Sequence, residues 1–198
     1  MEFVKKSVVA IRQCKLIPIA LVMDQCTTNQ KMIREAGATC ADPIISIDGK
    51  EIAVLYDTPH MLKNTRNAIH KHNAVFEGKI ASFKHVKQLY DEDVSSILRL
   101  APKLSLKCIV LPPFTKMNVP LATRTLSEST SIVMQHYVHT GQLDKGALGT
   151  ASFIAFHDKL FDIFNSKERY ADSIGKVSIL VQFFEISYEF KTWYSLAV

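Results

Sequence analysis

The apolar stretch Leu16-Ile-Pro-Ile-Ala-Leu-Val-Met23 stops abruptly at the polar run Asp24-Gln-Cys-Thr-Thr-Asn29. A short apolar run that is rich in branched residues and ends at a polar loop is typical of a buried strand. The aspartate that opens the loop would then lie at the C-terminal end of that strand. Thr28 or Asn29 is placed to cap a short helix over residues 30–36. The pattern predicts a strand, a loop and a helix in succession.

A second unit of the same kind follows. Asp48-Gly49 predicts a hairpin-like turn, after which the apolar run Glu51-Ile-Ala-Val-Leu-Tyr56 predicts a strand that also ends in an acid, Asp57. Pro59 suits the first turn of the next helix. Two strand–helix steps, each with an aspartate after its strand, indicate an α/β layer, and such sheets bind ligands at that edge.

The pattern changes from about residue 76. Strand signals fade, and apolar residues recur with helical spacing over 83–100, 121–137 and 150–165. The proline-rich stretch 111–120 is a connector between two of these helices. The sequence therefore predicts an α/β part followed by an all-α part, ending in an aromatic tail over 175–198 that we interpret as deeply packed or cut off within the fold.

Composition narrows the class of protein. The chain has 198 residues, of which 47% are hydrophobic and 22% charged, which excludes a disordered or coiled-coil protein. Its formal net charge of +5 mildly favours phosphate-rich partners. No apolar run is long enough for a membrane span, and the start lacks the features of a secretory signal. The cysteines form no zinc-like spacing, so we expect reduced thiols in a cytosolic or nuclear protein.

Asp24 and Asp57 are the strongest candidates for chemistry. Carboxylates at the ends of neighbouring strands are suitable ligands for Mg²⁺, which supports phosphoryl transfer in many enzymes. The alternative is that each aspartate simply caps the helix that follows it. Spacing alone favours the caps and leaves both interpretations open.

Other motifs are weaker. His60, His70 and His72 lack the partners of a transition-metal site, so we do not propose zinc. Neither a glycine-rich phosphate loop nor a G-x-S-x-G nucleophile motif occurs. A set of basic residues on and after the helix predicted to follow Pro59 either contacts a nucleic-acid backbone or forms a solvated helix face. Its members are Lys63, Arg66, Lys71, Lys84 and Lys87.

Several motifs in a fixed order resemble one family. Val22-Met-Asp-Gln-Cys-Thr-Thr-Asn-Gln-Lys-Met32 and Tyr56-Asp-Thr-Pro-His-Met-Leu-Lys-Asn-Thr-Arg-Asn67 are similar to motifs of the P-element transposases and the related THAP-domain transposase-like proteins. The similarity continues through Leu100–Leu104, Phe114–Ala122 and Lys159–Lys167, and covers residues 4 to about 170. It implies an RNase H-like domain that uses three acids to hold Mg²⁺ for DNA cleavage and strand transfer.

The resemblance assigns roles at the acidic positions. Asp24 matches the second acid of the catalytic triad and is the implied metal ligand, whereas Asp57 matches a neighbouring element whose role is either structural or to support the active site. The first acid would lie upstream and the glutamate beyond Val198 or in the tail, and the zinc-coordinating THAP domain is missing as well. We therefore expect a fragment that is catalytically inactive alone.

The resemblance also implies a helical insertion that binds GTP without a glycine-rich loop. The implied nucleotide contacts are Lys103, Val119, Ser127, Phe161, Asp162 and Asn165, and Asn118 stands where relatives commonly have lysine. Lys103 would neutralise phosphate charge, Ser127 would donate a hydrogen bond, and Asp162 would accept from a guanine or ribose edge. Without the family, amphipathic core packing by residues 160–164 with Asp162 exposed would be the favoured interpretation, and the resemblance reverses that preference.

These expectations combine into one hypothesis. Residues 1–75 would be a partial RNase H-like domain and residues 76–198 a GTP-binding insertion, incomplete or divergent after about residue 170. Mg²⁺ and GTP would be the cofactors, transposon ends and target DNA the partners, with a homo-oligomer in the nucleus and no membrane. The alternative is a domesticated or decayed remnant that binds a nucleotide or DNA without catalysis.

Overall fold

The computed structural model describes residues 1–39 and 41–165 of the chain. They form two compact units, one over Met1–Met61 and the other from Leu62 onward. The predicted domain boundary near residue 75 stays a prediction. The aromatic tail and the end of the Lys159–Lys167 motif lie outside the described residues.

The first unit is built on a three-stranded sheet. Its elements are α1 (Glu2–Gln13), β1 (Ala20–Met23), α2 (Thr27–Glu35), β2 (Ile44–Ile47), β3 (Lys50–Tyr56) and the start of α3 (Thr58–Lys71). The strand order is β1-β3-β2, with β1 parallel and β2 antiparallel to β3. The two predicted strand–helix steps are therefore present, side by side and in parallel register.

Turn chemistry and alternating burial explain this sheet. Asp48 and Gly49 both have positive φ, of 53° and 71°, as a tight hairpin turn requires. Ile45 and Ile47 of β2 are buried together with Ile52 and Val54 of β3, on the face that forms the core. Every second residue thus contributes to one apolar layer.

The ends of the first unit differ from the sequence prediction. The strand predicted over residues 16–23 covers Ala20–Met23 only, and it is an edge of the described sheet with Val22 59% exposed, not a buried strand. The following helix begins at Thr27 with Cys26 in the capping position, so Thr28 and Asn29 lie inside it. The N-terminal helix α1 was not predicted.

The second unit is mostly helical. After α3 come the hairpin strands β4 (Ala74–Phe76) and β5 (Lys79–Ala81), then α4 (Phe83–Ser95), α5 (Leu106–Ile109), the 3-10 helix Pro113–Met117, α6 (Val119–Thr125), α7 (Glu128–His139) and α8 (Ala147–Phe164). The change to helices thus comes after Ala81, a few residues later than expected. The described fold is mixed α/β with mostly helical content.

Helix α8 is the centre of this unit. It packs on α7, where the Ser131 hydroxyl donates to the Ala151 carbonyl at 2.8 Å, and on the β4–β5 hairpin. A Cβ atom at Gly149 would lie 2.7 Å from the Ile80 carbonyl oxygen, so this contact needs a glycine. The prediction of a single helix over residues 121–137 is wrong, because α6 ends at Thr125 and α7 begins at Glu128.

No helix in the described parts of the chain, residues 1–39 and 41–165, combines the length and apolar character needed to cross a membrane.

Candidate functional site

The two predicted acids lie at one edge of the first unit's sheet. Met23 pairs with Tyr56 in the parallel register of β1 and β3, and the Asp57 N–H donates to the Met23 carbonyl at 2.8 Å. Asp24 and Asp57 therefore follow neighbouring strands at the same end. We call Asp24, Asp57 and the nearby His60 the acid edge.

Asp24 is an exposed carboxylate held by the loop that follows β1. Its Oδ1 accepts from the Cys26 N–H at 3.1 Å and from the Asn29 side-chain amide at 2.8 Å. The hydrogen bonds from Cys26, followed by those from Asn29 and the charge of His60, lower the pKa of this carboxyl below 3.8. Asp24 is therefore ionised at neutral pH, as a metal ligand must be.

Asp57 serves as a helix cap. Its Oδ2 accepts from the His60 N–H at 3.1 Å, the third residue of α3, and also pairs with His60 Nδ1. This is the capping role that spacing alone favoured. The carboxylate of Asp57 is thus already bound to protein donors, and its role in the site stays a prediction.

The fit of the acid edge to Mg²⁺ is incomplete. No three histidine, cysteine, aspartate or glutamate side chains among residues 1–39 and 41–165 gather into a possible metal site. Asp24 has the right chemistry for one ligand, because it offers an exposed, ionised oxygen pair. The described residues alone do not make up a magnesium site.

The basic set is split by the structure. Lys63 and Arg66 are only 4% and 0% exposed, so they neither follow a nucleic-acid backbone nor form a solvated face. Lys71, Lys84 and Lys87 are exposed. The interpretations as a nucleic-acid-binding surface and as a solvated helix face are therefore both wrong for Lys63 and Arg66, because α3 directs these two side chains towards the protein interior.

Two of the proposed nucleotide contacts cap helices. Asn118 Oδ1 accepts from the Leu121 N–H at 3.0 Å and so begins α6. Ser127 Oγ accepts from the Thr130 N–H at 3.3 Å and donates to the Arg124 carbonyl at 3.1 Å, beginning α7. Ser127 thus caps α7 at the junction with α6 that the apolar periodicity did not reveal, and the caps fix where both side chains lie.

Asp158 joins α8 to the start of α7. Its Oδ2 accepts from the Glu128 N–H at 2.8 Å. Burial raises the pKa of Asp158, and the charges of Asp162 and Glu128 raise it further. Asp162 lies one helical turn after Asp158 on the same helix, close enough for its charge to act on that carboxyl.

The remaining candidates differ in exposure. Phe161 is half-buried in the last turns of α8, and Asn165 follows that helix as an exposed residue. Val119 is half-buried as the first residue of α6. We call Lys103, Asn118, Val119, Ser127, Phe161, Asp162 and Asn165 the nucleotide region.

Lys103 lies in a loop whose conformation is stabilised by one buried acid, Asp93. Asp93 is 0% exposed and its carboxylate accepts four hydrogen bonds. The donors are the N–H groups of Leu100 (2.7 Å) and Ala101 (3.1 Å), Arg99 Nε (3.0 Å) and the Tyr137 hydroxyl (3.2 Å). Sequence reasoning missed Asp93, since nothing local distinguishes it from Asp91 or Glu92. Within the described ranges, no hydrogen bond or ion pair joins Lys103 to the other residues of the nucleotide region.

Comparison with known proteins gives consistent matches. Residues 59–177 match the model of a family described as TNP-like, GTP-binding insertion domain. The chain is 30% identical over 152 residues to the transposable element P transposase of Drosophila melanogaster, covering 75% of this chain and 20% of that protein. It is 29% identical over 138 residues to the human DNA transposase THAP9, covering 65% of this chain and 14% of THAP9.

A solved structure agrees with these relatives. The Drosophila P element transposase strand transfer complex matches with a TM-score of 0.78 and 27% identity, covering 87% of this chain and 40% of that one. The chain spans about a fifth or less of the length of the curated relatives it matches.

Proposed function

Because the chain belongs to the P-element transposase family through its TNP-like, GTP-binding insertion domain, we propose that it is a piece of a DNA transposase whose helical unit binds GTP. The observation that carries this proposal is the family match over residues 59–177, a range that contains Ser127 and Asp162. Residues 1–75 would be the partial RNase H-like domain and residues 76–198 the insertion, although the family match already begins at residue 59, within α3.

Guanine suits the acidic end of α8. A guanine base offers two neighbouring N–H groups, and a carboxylate such as that of Asp162 accepts both. Asp158 adds negative charge one helical turn away, which makes donors from a ligand more favourable there. Adenine would present an acceptor nitrogen instead and be repelled. Phe161 is half-buried beside Asp162 in sequence and would pack against the ring.

The phosphates would be bound by the other residues of the region. Lys103 is exposed and carries the positive charge that phosphate requires. Ser127 and Asn118 already use their side-chain oxygens as caps, so we assign them secondary contacts, with Val119 and Asn165 completing the set. The asparagine at position 118 removes one positive charge relative to lysine.

Calorimetry tests the nucleotide proposal. The full chain should bind GTP more tightly than ATP, and Asp162→Ala should weaken GTP binding by about tenfold, which corresponds to losing one charged hydrogen-bonding group. Asp91→Ala is the matched control, because it removes an exposed acid from α4 without touching the region. Equal affinity for both nucleotides, or an unchanged Asp162→Ala variant, would overturn the proposal.

The parent activity would be DNA transposition at the acid edge. Mg²⁺, when bound, would supply Lewis-acid activation of a phosphodiester. Asp24 would be the ligand from this chain, held in place by Cys26 and Asn29, while Asp57 and His60 support the edge. Its DNA substrates would be transposon ends and target DNA, in the nucleus and within an oligomer.

We propose that this chain alone does not cleave DNA, because among the described residues the resemblance matches Asp24 alone to one of the family's three catalytic acids. The test is a nicking assay on a supercoiled donor plasmid with Mg²⁺ and GTP. Plasmid should remain intact with both wild type and Asp24→Asn. Cleavage by wild type that Asp24→Asn abolishes would show a working nuclease. GTP binding without cleavage, even when the missing acids are restored by fusion, would instead favour the decayed remnant.

A further inference from the structure

Helix α3 is hydrogen-bonded to the proline-rich connector, residues 111–120, which contains Asn118 and Val119 of the nucleotide region. Arg66 Nη2 donates to the carbonyl oxygens of Thr115 and Lys116, at 3.2 and 3.1 Å, and the Asn67 amide donates to the Lys116 carbonyl at 3.1 Å. Arg66 Nε in turn donates to Asn67 Oδ1 at 2.9 Å, which fixes the orientation of the amide. We call this arrangement the Arg66–Asn67 clamp.

The clamp is an unusual use of a buried charge. Arg66 is 0% exposed, and no aspartate or glutamate in the described ranges forms an ion pair with it. Its Nη1 is the only buried side-chain nitrogen or oxygen in those ranges without a hydrogen-bond partner. An unpaired buried cation destabilises a fold, and an apolar residue of similar size would pack there at lower cost. Stability alone therefore does not explain an arginine at this position.

The hydrogen bonds of Arg66 indicate that this residue positions the connector. The Thr115 carbonyl that accepts from Arg66 also accepts from the Asn118 N–H at 3.1 Å. Asn118 then caps α6, whose first residue is Val119. The clamp thus fixes the turn that delivers two residues of the nucleotide region, from a helix that lies about fifty positions earlier in the chain.

We propose that Arg66 and Asn67 are positioning residues of the GTP site, which hold Asn118 and Val119 in place for the nucleotide. This inference rests on the proposed function. An arginine is required because its planar fork binds two adjacent carbonyls and the Asn67 oxygen at once. A lysine would keep the charge but could not reproduce that set of contacts.

The experiment measures GTP affinity by calorimetry and connector order by hydrogen exchange in the full chain. Arg66→Lys should weaken GTP binding by about tenfold, and Asn67→Ala by about threefold, as expected for losing charged and neutral hydrogen bonds. In both variants, amide exchange over residues 115–122 should accelerate before any nucleotide is added. Asn67→Ala is the milder change and keeps the test valid if Arg66→Lys folds poorly.

Two controls separate positioning from general destabilisation. Lys71→Met changes an exposed residue of the same helix and should alter neither measurement. Leu89→Ala opens a cavity at a fully buried position of α4, so it should lower the unfolding midpoint without changing GTP affinity well below that midpoint.

The outcomes distinguish the two proposals. If wild type binds no GTP, the proposed function fails and this inference fails with it. If wild type binds GTP and the clamp variants bind it equally well, the inference alone is overturned. Weakened binding that Leu89→Ala reproduces would also overturn it, because the clamp would then be merely structural.

Discussion

The acid edge and the nucleotide region place their polar side chains by different means. At the acid edge, the parallel register of β1 and β3 puts Asp24 and Asp57 at the same end of the sheet. In the nucleotide region, side chains determine the backbone conformation. Asn118 and Ser127 cap the starts of helices, and Asp93 accepts hydrogen bonds from the loop that contains Lys103. The first site depends on a strand ladder and the second on individual hydrogen bonds.

This difference predicts how each site responds to mutation. A carboxylate at a strand end can change with little effect on the fold, because the ladder beneath it is made of backbone bonds. A buried carboxylate that accepts the hydrogen bonds of a loop cannot be changed so easily, because its substitution leaves several buried donors without an acceptor. The acid edge should therefore tolerate charge-removing substitutions better than the loop that Asp93 stabilises.

The largest expected contrast is between Asp93→Ala and Asp24→Asn. Asp93→Ala leaves Arg99, the Tyr137 hydroxyl and two backbone N–H groups without their acceptor, so we expect a loss of about 3–5 kcal/mol in the free energy of unfolding. Asp24 is exposed, and its substitution should leave the urea midpoint unchanged. Urea unfolding followed by circular dichroism measures both.

Asp91→Ala is the control for helix α4, since it removes an exposed acid two residues away from Asp93. Equal destabilisation by the Asp93 and Asp24 substitutions would break the contrast between the two sites.

A second expected effect is a dependence of stability on pH in the helical unit. His157 is buried in α8, where its Nδ1–H donates to the Phe153 carbonyl at 2.8 Å, and burial lowers its pKa to about 4. The unfolded chain binds this proton near pH 6.5 and the folded chain does not, so stability falls as pH drops from about 6.5 towards 4. Between pH 7 and pH 5 the loss from this group should be roughly 2 kcal/mol.

His157→Phe is the matched variant, because it keeps an aromatic ring among Phe153 and Phe156 but does not titrate. Its loss of stability between pH 7 and pH 5 should be smaller than that of wild type by the same amount. His70 and His85 also have pKa values that burial lowers, and they titrate in both proteins. Identical pH dependence would show that His157 is accessible to solvent.

Much of the first unit could be predicted from sequence because its signals are local. Asp48-Gly49 specified the hairpin turn, and the ends of two apolar runs located Asp24 and Asp57. What local patterns could not show is exposure: the apolar residues before Asp24 indicated a buried strand, yet β1 is an edge of the described sheet. Burial depends on which strands are neighbours, and that information is not in the strand itself.

The second unit was harder to predict because its determinants are distant in sequence. Apolar periodicity over residues 121–137 gave no sign that α6 ends at Thr125 or that Ser127 caps the start of a second helix. Arg66 resembles a surface residue until the connector fifty positions later is known to accept its hydrogen bonds. The individual site residues came from family resemblance, and their roles remain proposals.

A smaller effect is expected at the acidic end of α8. Asp158→Asn keeps an oxygen for the Glu128 N–H but removes a charge that burial and the nearby acids disfavour. We expect a gain of about 0.5 kcal/mol in stability at pH 7, the size of a partly solvated charge interaction. Because the raised pKa means that wild-type Asp158 takes up a proton first in the folded state, the gain should shrink as pH falls towards 4.

GTP selectivity should survive Asp158→Asn, since Asp162 keeps its charge. Loss of selectivity in this variant would transfer the proposed base contact from Asp162 to Asp158, and would show that capping and ligand binding are carried by one side chain.

The smallest effect tests whether the acid edge also relies on individual side chains. Hydrogen bonds from Cys26 and Asn29 lower the pKa of Asp24 more than the charge of His60 does. A histidine is positively charged where an aspartate titrates, so His60→Gln should raise the pKa of Asp24 slightly and Asn29→Ala should raise it further. Carboxyl carbon NMR titration of wild type and both variants gives the order. If His60→Gln had the larger effect, the pairing of His60 with Asp57 would control the charge of Asp24, and the acid edge would depend on side chains as strongly as the nucleotide region does.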